Sequence, residues 1–210
     1  ALYLEDNDID DFADRMEGGY NQAKWVAERL MWYAGLRGLP ICMFRPGNIG
    51  HHSVTGVVNP NDFQTLIIKA CLRIGSAPIA PDWLFEMTPV DFLATAITKI
   101  SDDPSHFGKV YNMVQQDPVP ANDVFMRMQA DGHVSELITL TDWKLRLQEK
   151  ADVADDLELK LLVQSLDSVE GYLTDTSVYD VSRFSEAMSQ SRLNLPVVDV
   201  DYVTMFLRSL

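Results

Sequence analysis

Tyr20 and Lys24 stand four residues apart in the segment Gly-Gly-Tyr-Asn-Gln-Ala-Lys at 18–24. On a helix that spacing climbs about 6 Å and returns the chain to nearly the same face. A phenol and an ammonium can then serve one site. A free Tyr, with a pKa of about 10, is a poor acid–base group at neutral pH. A neighbouring positive charge favours its ionised form. Such a Tyr can hand a proton to an oxygen as hydride reaches the adjoining carbon. The same pair is also common on solvated helices, so its spacing alone does not decide. Arg45 closes an apolar run and either positions a strand end or meets a cofactor phosphate. His51 and His52 could reach a substrate phosphate or a metal, though they lack a third ligand. Asp91 reads as an acceptor for backbone donors at a helix start. His106 and His133 read as surface residues. Cys42 and Cys71 lie in apolar runs and read as buried free thiols without metal-ligand spacing.

A helix must carry the Tyr–Lys pair. Ala23, Val26, Ala27, Leu30, Met31 and Ala34 recur at three and four residues and predict one apolar face. Residues 5–17, dense in Asp and Glu, read as a solvated loop or a mobile end. The continuous apolar run at 40–45 predicts a strand buried on both faces, and helix followed by buried strand is the grammar of an α/β sheet. Residues 48–61 read as irregular. Asn61-Asp62 caps a helix closed by Gly75, Pro89 starts another through Ile100, and Pro120 opens a third. A strand is expected at 110–114. Beyond 133 the pattern is mostly helical and polar, with Trp143, Leu145 and Leu147 as anchors. A Leu-rich stretch follows at 157–166, then helices around Phe184–Met188 and Val200–Leu207.

With 210 residues, 47% hydrophobic, the chain can bury a sizeable core. Its formal net charge of −14 repels phosphate backbones and argues against nucleic-acid binding. No apolar stretch reaches membrane-spanning length and no basic-then-apolar leader is present, so no membrane partner and a cytoplasmic location are expected.

Residues 18–50 read GGYNQAKWVAERLMWYAGLRGLPICMFRPGNIG. This segment resembles the extended short-chain dehydrogenase/reductase family. Within it, the chain is most similar to the thioester reductase domains that end many nonribosomal peptide synthetases, carboxylic acid reductases and aminoadipate reductases. Their Gly-Tyr-x-x-Ser-Lys-Trp-x-x-Glu is met by Gly19, Tyr20, Lys24, Trp25 and Glu28, with Ala23 replacing the usual Ser. Arg45, Pro46, Gly47 and Ile49 meet their Arg-Pro-Gly-x-Ile. Ser53, Gly56, Asn59, Asp62 and Phe63 meet Ser-x-x-Gly and Asn-x-x-Asp-Phe, and a Pro-Val-Asp falls at 89–91.

The resemblance implies an α/β fold. The chain would be the C-terminal part of an extended Rossmann-like reductase, with the core end at 1–130, an interleaved cap segment at 50–82, and a mostly helical substrate or lid subdomain at 131–210. It implies Tyr20 and Lys24 as catalytic residues. Lys24 would also touch the cofactor, NADPH, together with the loop Arg45, Pro46, Gly47, Asn48 and Ile49 beside the nicotinamide. His51, Ser53 and Gly56 would border the substrate. The partner implied is a phosphopantetheinylated acyl or peptidyl carrier protein; since carrier proteins are commonly acidic and this chain is −14, Lys69, Arg73, Lys144 and Arg146 are the candidate docking residues. The sequence has no Gly-x-x-Gly-x-x-Gly turn, and no Ser or Thr precedes Tyr20. The N-terminal nucleotide-binding half is therefore expected elsewhere, either covalently continuous or as a complementary chain, and this chain alone is expected to be inactive. Fatty acyl-CoA reduction, sugar-nucleotide epimerisation or dehydration, and a non-catalytic docking role are the alternatives.

Overall fold

Local sequence sets most of the helix ends. The computed structural model describes residues 2–15, 18–154 and 156–209. In chain order the elements are β1 (Leu2–Tyr3), a 3-10 turn (Ile9–Arg15), α1 (Gly19–Leu36), β2 (Met43–Pro46), β3 (Ile49–Gly50), α2 (Phe63–Ile74), β4 (Ser76–Ile79), β5 (Leu84–Phe85) and β6 (Thr88–Pro89). They continue with α3 (Val90–Ser101), β7 (Val110–Met113), β8 (Val119–Pro120), α4 (Ala121–Ala130), β9 (Glu136–Thr139), α5 (Leu140–Val153), α6 (Leu157–Leu173), β10 (Val178–Tyr179), α7 (Ser182–Gln190) and α8 (Val200–Thr204), before a closing 3-10 turn (Met205–Ser209). Asp62 caps α2 by accepting from Thr65 N at 2.9 Å, and Gly75 ends it at φ 78°, a conformation that costs glycine little. Pro89 and Pro120 precede α3 and α4, where a missing N–H is harmless.

Among the described residues, β2 pairs with β7, β3 with β6, β4 with β9 and β1 with β10, all parallel; β5 and β8 are antiparallel. Parallel pairs need long crossovers. The stretch between β2 and β7 contains α3, and that between β4 and β9 contains α4. The β2–β7 register runs from Met43 on Val110 to Pro46 on Met113.

Two apolar cores form. The larger joins α2, β4, α4, α5, α6 and α8; at its centre Trp83 meets Trp143 edge-on at 6.3 Å, and Trp143 Nε1 donates to Ser76 O at 3.2 Å. The smaller joins α3, β7 and α7 through Phe92, Ile100, Tyr111, Met113 and Phe184. The larger core draws on residues both before and after 130, so the expected division at 130/131 cuts across it.

The aliphatic stripe of α1 forms one face, and that face points outward: Val26, Leu30 and Met31 are exposed, while Glu28 is the buried residue of that helix among the described residues. Several expectations are corrected. In β2 only Met43 is buried, not both faces of a run. Leu145 is exposed; Trp143 and Leu147 are the anchors of α5. His106 is buried, with Nδ1 2.6 Å from the Tyr111 hydroxyl. The polar tail also contains a strand, β9, which the helical pattern concealed.

The acidic opening is not a solvated loop over its described length; residues 16 and 17 lie outside the described residues. Asp8 and Asp10 face Arg29, and Asp10 accepts from Trp25 Nε1 at 2.9 Å. Glu5 is 1% exposed and accepts from the backbone N–H groups of Asn112 (3.2 Å), Arg183 (2.8 Å) and Phe184 (3.2 Å). Two of these donors lie in the first turn of α7, whose own N-cap, Val181, offers no acceptor. A carboxylate from the far end of the chain therefore caps α7 and pins β7. Burial pushes the Glu5 carboxyl upward against the pull of those hydrogen bonds. Glu5→Ala should strand three buried donors and cost about 2–4 kcal/mol in urea unfolding. Asp6→Ala, which loses only an exposed partner of Arg183, should cost about 1 kcal/mol or less.

Candidate active site

Tyr20 lies in the first turn of α1, just after Gly18 at φ 79°. It is 74% exposed. The Lys24 ammonium, one turn on, sits 5.4 Å from the Tyr20 ring centroid. Across from them, the parallel strands β2 and β7 end side by side, and the chain leaves both there. Tyr20 and the loop Arg45–Asn48 line one open cleft of about 900 Å³. Its other walls are the segment from Tyr3 to Phe12, the Asn112–Gln116 stretch after β7, Phe63 and Gln64 of α2, and the turn from Tyr172 to Tyr179. A cleft outside the carboxyl ends of parallel strands is where ligands bind in such sheets.

Arg45 is committed to a partner. Its Nε donates to Glu28 Oε2 at 3.1 Å, its Nη2 reaches Glu28 Oε1, and Nη2 also donates to Asn7 O at 3.2 Å. This ties α1 to the end of β2 and so fixes Tyr20 against the cleft. Asn48 is held through Glu86. The Glu86 carboxylate accepts from Asn48 N (2.7 Å), Asn48 Nδ2 (3.1 Å) and Gln115 N (3.0 Å). A Cβ on Gly47 would lie 2.6 Å from that carboxylate, so a side chain there would have to displace the Glu86 carboxylate from its donors. Burial pushes the Glu86 carboxyl up, opposed by the Asn48 and Gln115 donors.

The other expected residues lie elsewhere. Ile49 enters β3 and does not line the cleft. His51 is buried: its ring stacks on Tyr202 at 3.9 Å and its carbonyl accepts from the Tyr202 hydroxyl at 2.7 Å. Burial pushes its imidazole below the usual range and favours the neutral ring. Ser53 donates through N (2.8 Å) and Oγ (2.6 Å) to Asp91. Burial would raise the Asp91 carboxyl, but the Ser53 bonds prevail and hold it low. Asp91 thus fastens the 51–56 loop and also accepts from its own backbone N–H at the start of α3. Gly56, at φ 70°, packs on the backbone of Phe206. The four expected docking cations are engaged: Lys69 with Pro60 O, Arg73 with Asp156 and Glu158, Lys144 with Glu170, and Arg146 with Glu136.

Sequence reasoning passed over Gln64, Glu86, Asn112 and Tyr179, which all line the cleft. Only Glu86 left a trace: a lone carboxylate in the apolar run Leu-Phe-Glu-Met at 84–87, opposite the buried Phe85 and Met87. Asn112 links β7 to β1 and to the residue after β10 by donating to Tyr3 O (3.4 Å) and Asp180 O (2.9 Å).

Residues 3–97 match a family model described as "Male sterility protein". The structure is similar to that of the terminal R domain from the myxalamid PKS-NRPS biosynthetic pathway. The TM-score is 0.84 at 32% identity, covering all of this chain and 53% of the other. A thiolation-reductase di-domain from an archaeal non-ribosomal peptide synthetase shares the fold, with a TM-score of 0.70 at 17% identity, over all of this chain and 44% of the other. Nonribosomal peptide synthetase asaC of Aspergillus flavus is 30% identical over 196 residues, which is 88% of this chain and 19% of the relative. The chain spans between 11% and 20% of the length of such curated relatives.

The Glu28–Arg45 pair is the contact on which the Tyr20 position rests. Glu28 is 9% exposed, so Arg45→Ala would leave its charge uncompensated. That variant should lose about 2–4 kcal/mol in chemical unfolding. Arg146→Ala, which breaks the more exposed pair with Glu136, should lose about 1 kcal/mol or less.

Proposed function

We propose that this chain, which belongs to the thioester reductase domains of the extended short-chain dehydrogenase/reductase family and corresponds to their C-terminal part, serves an intact enzyme that reduces an acyl or peptidyl thioester. The thioester would be carried on the phosphopantetheine arm of a carrier protein and released as an aldehyde or alcohol. One observation carries this reading: Tyr20, with the Lys24 ammonium against its ring, opens on the same cleft as the loop that leaves β2.

NADPH, when bound, supplies a hydride to the thioester carbonyl carbon. The residues present fit its nicotinamide-riboside end. Lys24 is exposed beside Tyr20, with no carboxylate partner among the described residues, and so is available to donate to ribose hydroxyls. Tyr20 gives its phenolic proton to the carbonyl oxygen as charge develops there, and a hemithioacetal results. On collapse the carbon–sulfur bond breaks. The hydroxyl proton passes to the departing sulfur, leaving aldehyde and thiol. The cleft of about 900 Å³ is large enough for the end of a pantetheine arm together with its acyl group.

Two surfaces support the expectation of a complementary nucleotide-binding half. The exposed Val26, Leu30 and Met31 stripe of α1 would bury against it. The edge of β2 away from β7 would receive its strands. A carrier protein would stay outside while its arm enters between α1 and the turn at 172–179.

In the intact enzyme, Tyr20→Phe should slow single-turnover NADPH oxidation by about a hundredfold or more. NADPH affinity should stay within about threefold, since the lost hydroxyl acts on the substrate oxygen. Lys24→Ala should weaken both turnover and cofactor binding. Near-normal single-turnover rates in the Phe variant, followed by stopped-flow absorbance, would sink the assignment.

A further inference from the structure

Two side-chain amides with open hydrogen-bonding groups flank Glu86 on the cleft wall. The Glu86 carboxylate accepts from Asn48 N at 2.7 Å and from Gln115 N at 3.0 Å, and both residues line the cleft with Tyr20. Gln115 is only 8% exposed. Its amide has no partner among the described residues, yet neither of its polar atoms is sealed from solvent, so the exposure it keeps includes the amide. Polar groups of so buried a side chain are normally paired, and the open side of Gln115 is the cleft.

Asn48 is held in one orientation. A carboxylate only accepts, so Asn48 Nδ2 must face Glu86, which it meets at 3.1 Å, and Oδ1 is turned away from it. Asn48 is exposed, and its Oδ1 accepts from no group among the described residues. The two amides are also kept close together. One carboxylate holds both backbones, Gln64 Nε2 holds the Glu86 carbonyl at 2.8 Å, and Gly47 N donates to Met113 O at 3.1 Å across the same strand ends. A fixed acceptor beside a donor is the complement of an amide, which carries one of each.

We propose that Asn48 and Gln115 form a subsite for an amide group of a bound molecule, with Glu86 as the residue that positions them. Asn48 Oδ1 accepts from the ligand N–H, and Gln115 Nε2 donates to the ligand carbonyl. This inference rests on the thioester reductase reading and deepens it. Both molecules which that reading brings to the cleft carry an amide: the carboxamide of NADPH, and the amide nearest sulfur in a pantetheine arm. A ketone or ester in its place keeps the carbonyl but leaves Oδ1 unmet.

Dissociation constants on the intact reductase, measured by calorimetry with one ligand at a time, test the subsite. One arm compares NADPH with its reduced 3-acetylpyridine analogue, in which a ketone replaces the carboxamide. The other compares butyryl-pantetheine with an analogue whose amide nearest sulfur is an ester. In one arm the amide ligand should bind better by about fivefold, and Asn48→Ala should bring that pair within about twofold. The Ala variant retains the backbone N–H that Glu86 holds, so the loop keeps its tether. Glu86→Gln should shrink the same ratio, because an amide in place of the carboxylate no longer dictates which way the Asn48 amide turns. Gln115→Leu should weaken both members of that pair alike. The arm that responds identifies the ligand. Ratios unchanged by Asn48→Ala in both arms would overturn the subsite. Equal weakening of both ligands by Glu86→Gln, with the ratio intact, would overturn its positioning role. Absence of NADPH oxidation with any pantetheine thioester would instead overturn the reductase reading itself.

Discussion

The loops that leave β2 and β7 are tied together through a carboxylate from a third segment. Glu86 takes the backbone N–H of Asn48 on one side and that of Gln115 on the other. Parallel strands that stop at the same level leave backbone donors pointing beyond the sheet, where they must find acceptors. A fixed anion between them satisfies two at once and fixes the distance between the loops. Gly47 completes the arrangement because any side chain there would fill the space the carboxylate occupies. These loops form one wall of the cleft in front of Tyr20.

The same device appears within β7 itself. Glu5 caps α7 and holds Asn112 N, while the Asn112 side chain joins β1 to the segment after β10. Both carboxylates come from sequence positions distant from the donors they satisfy. Both are buried at a cost that only several converging N–H groups can offset. The chain thus uses acidic residues as structural acceptors, which accounts for part of an acidic composition that otherwise reads as solvation. Charge pairing follows a similar logic: Arg73, Lys144 and Arg146 each close on a carboxylate of this chain, so basic residues hold the helical tail together.

The amino-acid sequence alone determined what depends on neighbours along the chain. Asp62, Gly75, Pro89 and Pro120 act within one turn of their own helices: α2 begins and ends, and α3 and α4 begin, where those residues place them. Tyr20 and the Arg-Pro-Gly run likewise line the cleft, because one helix turn and one strand end carry them, while Lys24 sits beside the Tyr20 ring and is not among the lining residues. Tertiary structure decided everything that required a distant partner. The apolar stripe of α1 has the period of a core face, yet it points outward, because the Glu28–Arg45 and Trp25–Asp10 contacts turn the opposite face toward the chain. His51 reads as a loop ligand but is stacked beneath Tyr202, a residue 151 positions later. Glu86, Gln64, Asn112 and Tyr179 reach the cleft from four separate segments. Periodicity and spacing report which face of an element is apolar, whereas convergence of side chains from different elements is set by packing, which no local pattern encodes.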